Sequence, residues 1–233
     1  MISVCMAVKN GSRFLRMQVD SILPQLSAED EIIISDDHST DTTFEVANSY
    51  SDPRIRFIKN PNVGLVSNFE NSLSASRGEL IFLADQDDIW QPNKIRQMLP
   101  HLKEYDLVVS DCDLVDDKLD SLHNSFFEIN SSGTGLIKNL LRNSYMGCCM
   151  AFHRKILSKA LPFPKGLYVH DAWIGLIGEL YFTKTFISDK LVSHRKHNGN
   201  ASFTGVKSGL STVDKISYRL KLIKGLIDVH YAK

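Results

Sequence analysis

Apolar residues in the first half of the chain fall into short continuous blocks, each followed by a polar turn and then by a segment of helical spacing. Ile2–Val8 is such a block and reads as a strand buried on both faces. Asn10-Gly11-Ser12 is a turn that opens a helix: Phe14, Leu15, Val19, Ile22 and Leu23 recur at helical spacing, and Pro24 ends the element. Glu31–Ser35 carries Ile32-Ile33-Ile34, a second buried strand, and runs into Asp36-Asp37-His38-Ser39-Thr40-Asp41. Thr42 with Glu45 has the form of a capping box opening a helix to about Tyr50. Arg54–Lys59 predicts a third strand, Asn60–Gly64 a loop, Ser67–Ser76 a short helix, and Leu80–Ala84 a fourth strand leading into Asp85-Gln86-Asp87-Asp88. Pro92 stands near the first position of a helix to Lys103, and Asp106–Ser110 predicts a fifth strand.

Strands alternating with helices in this order imply right-handed crossovers and a mostly parallel sheet flanked by helices, an α/β fold. Ligands of such sheets bind beyond the carboxyl ends of the strands. Lys9-Asn10, Asp36-Asp37 and Asp85 to Asp88 all fall there. The second half is less regular. Thr134–Arg142 and Lys155–Ala160 have helical spacing, Met146–Phe152 is an apolar segment containing glycine, and Val169–Tyr181 reads as a helix opened by His170-Asp171. Thr185–Ser188 and Leu191–Arg195 predict two short strands. In Lys215–Tyr231, Ile216, Leu220, Ile223, Leu226 and Ile227 repeat at helical spacing beside Lys215, Arg219, Lys221 and Lys224. Such a helix either packs on the core with a solvated basic side or lies on anionic lipid.

Composition narrows the class. The 233 residues are 43% hydrophobic and 23% charged, which excludes a disordered chain, a collagen-like fibre and a small disulfide scaffold. Lysine plus arginine and aspartate plus glutamate both number 27, so the formal charge is zero and no global footprint for nucleic acid exists. Cys5, Cys112, Cys148 and Cys149 have no framework spacing and read as buried small hydrophobes. No apolar stretch approaches the ~20 residues of a spanning helix. Met1–Val8 runs straight into Lys9-Asn10-Gly11 as a strand rather than a leader. The expected location is the cytoplasm, peripheral on the inner face of the plasma membrane if residues 213–231 contact lipid.

Asp85, Asp87 and Asp88 repel one another unless they share a cation, and Mg²⁺ or Mn²⁺ held by one or two carboxylates plus phosphate oxygens suits them. A turn capping the Pro92 helix accounts for Asp88 and leaves Asp85 and Asp87 surplus. Asp36 and Asp37 also exceed what capping needs, because Asp41 or Thr42 supplies a cap. A carboxylate at that place accepts hydrogen bonds from a base N–H or from ribose hydroxyls, as in dinucleotide folds. His38 reads as a local turn residue.

Together, Ser3–Val8 with Lys9-Asn10-Gly11, the Ser35–Asp41 run, Asn60–Gly64 with Asn68, and Ala84-Asp85-Gln86-Asp87-Asp88-Ile89-Trp90 resemble the family 2 glycosyltransferases of the GT-A fold. The Asp-Gln-Asp-Asp-Ile-Trp run is similar to the bacterial rhamnosyltransferase-like branch, whose later motifs resemble Met146–Phe152, His170-Asp171-Ala172-Trp173 and His194–Asn200. The resemblance implies a GT-A (Rossmann-like) catalytic domain over 1–205, with a nucleotide-sugar-binding half (1–112) and an acceptor-binding half (113–205), and a C-terminal amphipathic helix within 206–233. It implies that Asp36 contacts the base with help from the Ala7–Lys9 backbone, with Asp37, Asn68 and Gln86 in the same nucleotide-binding set and Asp85 approaching the ribose. Asp87 and His197 match metal ligands for Mn²⁺ or Mg²⁺, and Asp171 matches the catalytic base. Asp88, Trp90, Gly147, His170 and Trp173 would shape the acceptor and sugar pocket. Three positions depart from the family pattern: His38 stands for a glycine, His194 for a tyrosine and Lys196 for a glutamine.

The implied function is an inverting, metal-dependent glycosyltransferase. It would move a sugar from a nucleotide-diphosphate donor, dTDP-rhamnose or a UDP-hexose, to a hydroxyl of a lipid-linked oligosaccharide in bacterial surface polysaccharide (O-antigen or capsule) biosynthesis. Asp171, at an apparent helix start, is expected to be kept ionised by the macrodipole and so competent as a base. One rival is a nucleotidyl- or phosphotransferase using the same carboxylates, which calls for a glycine- and lysine-rich phosphate loop that this sequence does not carry. The other is a non-catalytic sugar-nucleotide-binding module, which has no need of a base such as Asp171.

Overall fold

A computed structural model describes residues 1–197 and 211–231. Its strands are β1 (Ile2–Val8), β2 (Glu31–Asp36), β3 (Ile55–Lys59), β4 (Leu80–Asp85), β5 (Ile89–Trp90), β6 (Leu107–Val115), β7 (Ser121–His123), β8 (Met150–His153) and β9 (Lys184–Arg195). Its α-helices are α1 (Leu15–Ile22), α2 (Thr43–Asn48), α3 (Leu65–Ala75), α4 (Lys94–Leu102), α5 (Phe126–Asn130), α6 (Leu136–Leu141), α7 (Leu157–Ala160), α8 (His170–Tyr181) and α9 (Thr212–Tyr231). One sheet runs in the order β3-β2-β1-β4-β8-β6-β9-β5, with β7 beside β6. The four strands of the β3-β2-β1-β4 half are parallel, as buried Val/Ile/Leu blocks joined by helices require. The wholly buried β1 and β2 leave no polar face, because α3 covers them with Phe69 and Leu73.

Beyond β4 the sheet becomes mixed. Met146–Phe152 is a 3₁₀ turn at Gly147–Cys149 followed by β8, which inserts antiparallel between β4 and β6. That insertion joins the two sequence halves into one sheet. The two short strands expected after Thr185 are one strand, β9. Its pairing with β6 slips between Ser110 and Asp111, so the polar Ser188-Asp189 that suggested a break lies within a bulge. The capping box at Thr42 does not form: the Thr42 side chain caps nothing, and Asp41 accepts from the Thr43 amide (3.0 Å) instead.

The C-terminal helix packs on the core. Leu222 and Leu226 of α9 are buried, Gly225 lies so close to the Trp173 ring that an added Cβ would stand 3.0 Å from it, and Arg219 donates to the carbonyls of Leu140 and Leu141 at the end of α6. Asn198-Gly199-Asn200 of the late motif, and the expected boundary near 205, lie outside the described residues.

Candidate active site

Three parallel strands deliver their carboxyl ends to one edge. Val8 pairs with Asp36 and Ala7 with Asp85, so the first polar residues after β1, β2 and β4 are neighbours. Asp37 sits at the centre of the first group. It accepts from the Gly64 amide (2.9 Å), the Asn60 side chain (3.3 Å) and the Lys9 ammonium (3.1 Å). Burial alone would raise its pKa, but the Gly64 and Lys9 bonds bring it below the ordinary carboxylate value. Gly64 opens α3 at φ +111, a conformation that a side chain would strain, and this turn aims its amide at Asp37. His38 has a left-handed backbone (φ +58), which accounts for the glycine expected there, and its ring Nε2 lies 2.9 Å from the Asn62 carbonyl. Gln86 clamps the Lys9 backbone, accepting from its amide (2.9 Å) and donating to its carbonyl (3.2 Å).

Among the described residues, Asp36 Oδ1 and Asn68 Oδ1 on this side are buried and find no protein partner. Each residue is fixed by another bond: Asp36 accepts from the Ser39 amide (3.2 Å), and Asn68 donates to the Val8 carbonyl (3.1 Å). Buried acceptors without partners are costly, and a ligand that brings N–H or O–H groups satisfies them.

The Asp85–Asp88 turn supplies the second group. Asp87 and His197 meet at 2.8 Å. Burial and the neighbouring Asp88 push the Asp87 pKa up, and burial with Asp88 and Asp87 pushes that of Asp85 well up. Crowded carboxylates with hard oxygens, beside an imidazole, fit Mn²⁺ or Mg²⁺. Asp85, Asp88, Cys148 and His194 also converge within 4.8 Å, but Asp88 Oδ1 and His194 form an ion pair at 2.9 Å, and a buried thiol is a poor ligand for these hard cations. Burial opposes both charges of that pair. Even so, Asp88 lies below the usual carboxylate range and His194 rises to about 9, each held by the other. Arg195 extends this layer, donating from its amide to Asp88 (3.0 Å) and from Nε to the Asp87 carbonyl (2.9 Å).

The third group stands at the start of α8. Asp171 accepts from the Gly147 amide (3.1 Å), the Ala172 amide (2.5 Å) and the Asn143 side chain (3.5 Å). Burial nevertheless pushes its pKa up to about 6, so desolvation outweighs the helix terminus, contrary to expectation, while leaving the carboxylate ionised at neutral pH. Gly147 packs tightly here: a Cβ would stand 3.0 Å from His170 Nε2, and the ring would have to give. The His170 ring stacks on Phe69 with centroids 3.6 Å apart, and burial lowers its pKa to about 3, so it is neutral. Phe69 follows Asn68 on α3, and Asp171 adds its field to that on Asp85, so the three groups lie near one another and define the candidate cleft.

Three expected pocket residues are set back from the cleft. Trp90 is 1% exposed, Trp173 0% and Asp88 0%. Trp173 donates its indole N–H to the Ala160 carbonyl (2.9 Å) and supports α9, Trp90 underlies the Lys94 ammonium, and Asp88 holds His194. Sequence reasoning missed Lys94, fully buried with its ammonium on the Cys148 carbonyl, and Asn143 beside Asp171. The only signal for Lys94 was a lysine on the apolar stripe of α4, beside Ile95 and Met98. A groove of about 1340 Å³ opens at the opposite edge of the sheet, around Met1, Leu80, Tyr105, Asp106 and His153, and its Asp106 pairs with Lys155 at 2.6 Å. Size alone does not mark the site, since the converging carboxylates lie at the other ends of the strands.

Comparison with known proteins agrees with this geometry. Residues 3–161 match the sequence profile described as glycosyl transferase family 2. A Rickettsia felis protein described as a glycosyltransferase is 28% identical over 220 residues, covering 87% of this chain and 35% of the relative, so the chain spans about a third of that protein's length. Among solved structures, Staphylococcus aureus TarS 1–349 in complex with UDP-GlcNAc superposes with a TM-score of 0.76 at 15% identity, over 97% of this chain and 66% of that one. Glucosyl-3-phosphoglycerate synthase from Mycobacterium tuberculosis, in complex with Mn²⁺, UDP and glucosyl-3-phosphoglycerate, gives 0.62 at 18% identity, over 98% and 79%. The shared fold is the GT-A fold.

Proposed function

The chain belongs to glycosyl transferase family 2, and we propose that it is a glycosyltransferase domain that moves a sugar from a nucleoside-diphosphate donor to an acceptor hydroxyl with inversion at the anomeric carbon. One observation carries this reading. Two carboxylate sites on different elements stand close enough for their charges to be felt: Asp85 and Asp87 with His197, a crowded group of hard ligands that suits a cation, and Asp171, with a pKa of about 6.

The residues divide the chemistry among themselves. Asp36 Oδ1 and Asn68 Oδ1 accept from the base and ribose of the donor, while Asp37, fixed by Gly64 and Lys9, holds the floor beneath them. Asp87 and His197, with Asp85 beside them, would hold Mn²⁺ or Mg²⁺, which supplies counter-charge to the departing diphosphate. Behind them the Asp88–His194 pair and Arg195 fix the loop that carries Asp87. Asp171 takes the proton from the acceptor hydroxyl as that oxygen bonds to the anomeric carbon. The carbon–oxygen bond to the diphosphate breaks on the opposite face, and the nucleoside diphosphate leaves with the electron pair. Gly147 and Asn143 orient the Asp171 oxygens, and neutral His170 adds no competing charge beside the base.

The finer assignment is a dTDP-rhamnose or UDP-hexose donor and a lipid-linked glycan acceptor of bacterial surface polysaccharide. The resemblance to the rhamnosyltransferase-like branch and the UDP-bound neighbours support it. Peripheral contact with the inner face of the plasma membrane through 213–231 accords with such an acceptor. No helix among the described residues is long and apolar enough to cross a membrane. Thermal melts with a panel of nucleotide sugars, with and without Mn²⁺, test the reading. A rise in Tm that needs both nucleotide and metal supports it. No shift with any nucleotide sugar overturns it.

A further inference from the structure

The C-terminal helix carries two apolar faces, and the fold uses one. Tyr218, Leu222, Gly225, Leu226 and Val229 of α9 turn toward the domain. Val213, Ile216, Leu220, Ile223 and Ile227 recur at alternate steps of three and four residues and are exposed, Val213 at 75% and Leu220 at 61%. Helical geometry gathers them into a continuous stripe. Exposed Ile137 and Leu141 of α6 adjoin it, since Arg219 donates to the carbonyls of Leu140 and Leu141. A stripe of this size is more than scattered surface apolarity.

Charge selects the occupant. Arg219 borders the stripe on one side and Lys224 on the other, while the acids Asp214 and Asp228 stand at the ends of the helix. A second copy docking through the stripe would set like charges together in either direction. Parallel pairing brings Arg219 against Lys224, and antiparallel pairing brings each against its own counterpart. A surface combining negative headgroups with an apolar layer matches both the rim and the stripe.

We propose that this second face of α9, together with Ile137 and Leu141, is a docking surface for an anionic lipid bilayer. It lies beside the acceptor end of the cleft, because the Tyr218 hydroxyl donates to the Val169 carbonyl (3.5 Å), one residue before His170-Asp171. A docked domain therefore presents Asp171 to hydroxyls held near the membrane surface. That consequence, unlike the docking itself, rests on the reading of Asp171 as the acceptor-side base.

Co-sedimentation with vesicles tests the proposal, using phosphatidylcholine alone and phosphatidylcholine mixed with phosphatidylglycerol. Wild type should pellet with the anionic vesicles, less so at high salt, and stay in solution with the neutral ones. The combined Leu220→Ser, Ile223→Ser and Ile227→Ser variant should lose most of this binding. It should keep its Tm and its metal-dependent nucleotide binding, because those side chains face away from the domain. The Lys224→Gln variant should bind more weakly by about fivefold. Equal recovery of wild type in the supernatant with both vesicles would overturn the proposal. So would a wild-type dimer in light scattering that the serine variant breaks. Vesicle binding without any nucleotide binding would support the docking surface while overturning the donor reading.

Discussion

Replacing Asp171 by asparagine separates its catalytic part from its structural one. Asparagine keeps the size and one acceptor oxygen, which can still serve the Ala172 amide, but its NH₂ cannot accept from the Gly147 amide as Oδ2 does at 3.1 Å. Losing that bond costs about 1 kcal/mol. Against it stands relief of a buried charge. Burial raises the carboxyl to about 6, well above an ordinary aspartate, a penalty on the order of 3 kcal/mol that is reduced by the solvent reaching this half-buried group. The two terms oppose, so stability at neutral pH should change by no more than about 1–2 kcal/mol in either direction. The sign with pH is definite. A raised folded-state pKa gives a stability contribution that is present below the unfolded value and lost as pH rises through about 6. The difference between variant and wild type should therefore shift in favour of the variant across that interval. Turnover should fall by about a hundredfold or more, with little change in donor KM. Wild-type kcat should decline below pH of about 6, where the base becomes protonated. Steady-state kinetics on both sides of that pH, with melts of both proteins, decide the matter. Turnover within a few-fold of wild type, or no acid limb near that value, would refute the role of Asp171 as base.

Asp87→Asn should remove the metal-dependent part of nucleotide stabilisation, read as a Tm rise with nucleotide that no longer responds to Mn²⁺. Gly64→Ala should cost about 1–2 kcal/mol in chemical denaturation, because its φ of +111 strains any side chain, and should weaken nucleotide affinity by displacing the amide from Asp37. Asp88→Ala removes the carboxylate paired with the buried His194 and should cost about 3–5 kcal/mol in the same assay. Leu222→Ala, on the inner face of α9, should lower stability by about 2–3 kcal/mol, whereas Leu220→Ala on the outer face should leave it nearly unchanged in urea melts.

The first half of the chain was legible because two local signals coincided. Blocks such as Ile32-Ile33-Ile34 fit only a doubly covered strand, and each of β1, β2 and β4 ends in polar residues too numerous for capping. The structure adds the register, which sets Val8 beside Asp36 and Ala7 beside Asp85. Pairings across the chain left no such trace. The Arg195 amide reaches Asp88 over 107 residues, and nothing in the composition of either segment announces the ion pair with His194. Trp90 and Trp173 read as pocket walls because an aromatic beside a motif looks the same whether it faces ligand or core. Lys94 is buried because the Cys148 carbonyl and the Trp90 ring receive its ammonium, partners that arrive only with tertiary structure. In α9 the sequence pattern merged two faces into one stripe, since Leu226 and Ile227 are adjacent in the chain but lie on the inner and outer sides of the helix.

The most direct test of the account follows the products of one turnover. Purified protein is given its preferred nucleotide sugar, Mn²⁺ and an extract of lipid-linked glycans, and mass spectrometry records both nucleotide and glycolipid. The account predicts one nucleoside diphosphate released for each sugar gained by an acceptor, with both signals abolished by EDTA and by Asp171→Asn. Release of a nucleoside monophosphate with a sugar phosphate, or nucleotide-sugar binding that yields no product with any acceptor, would contradict it.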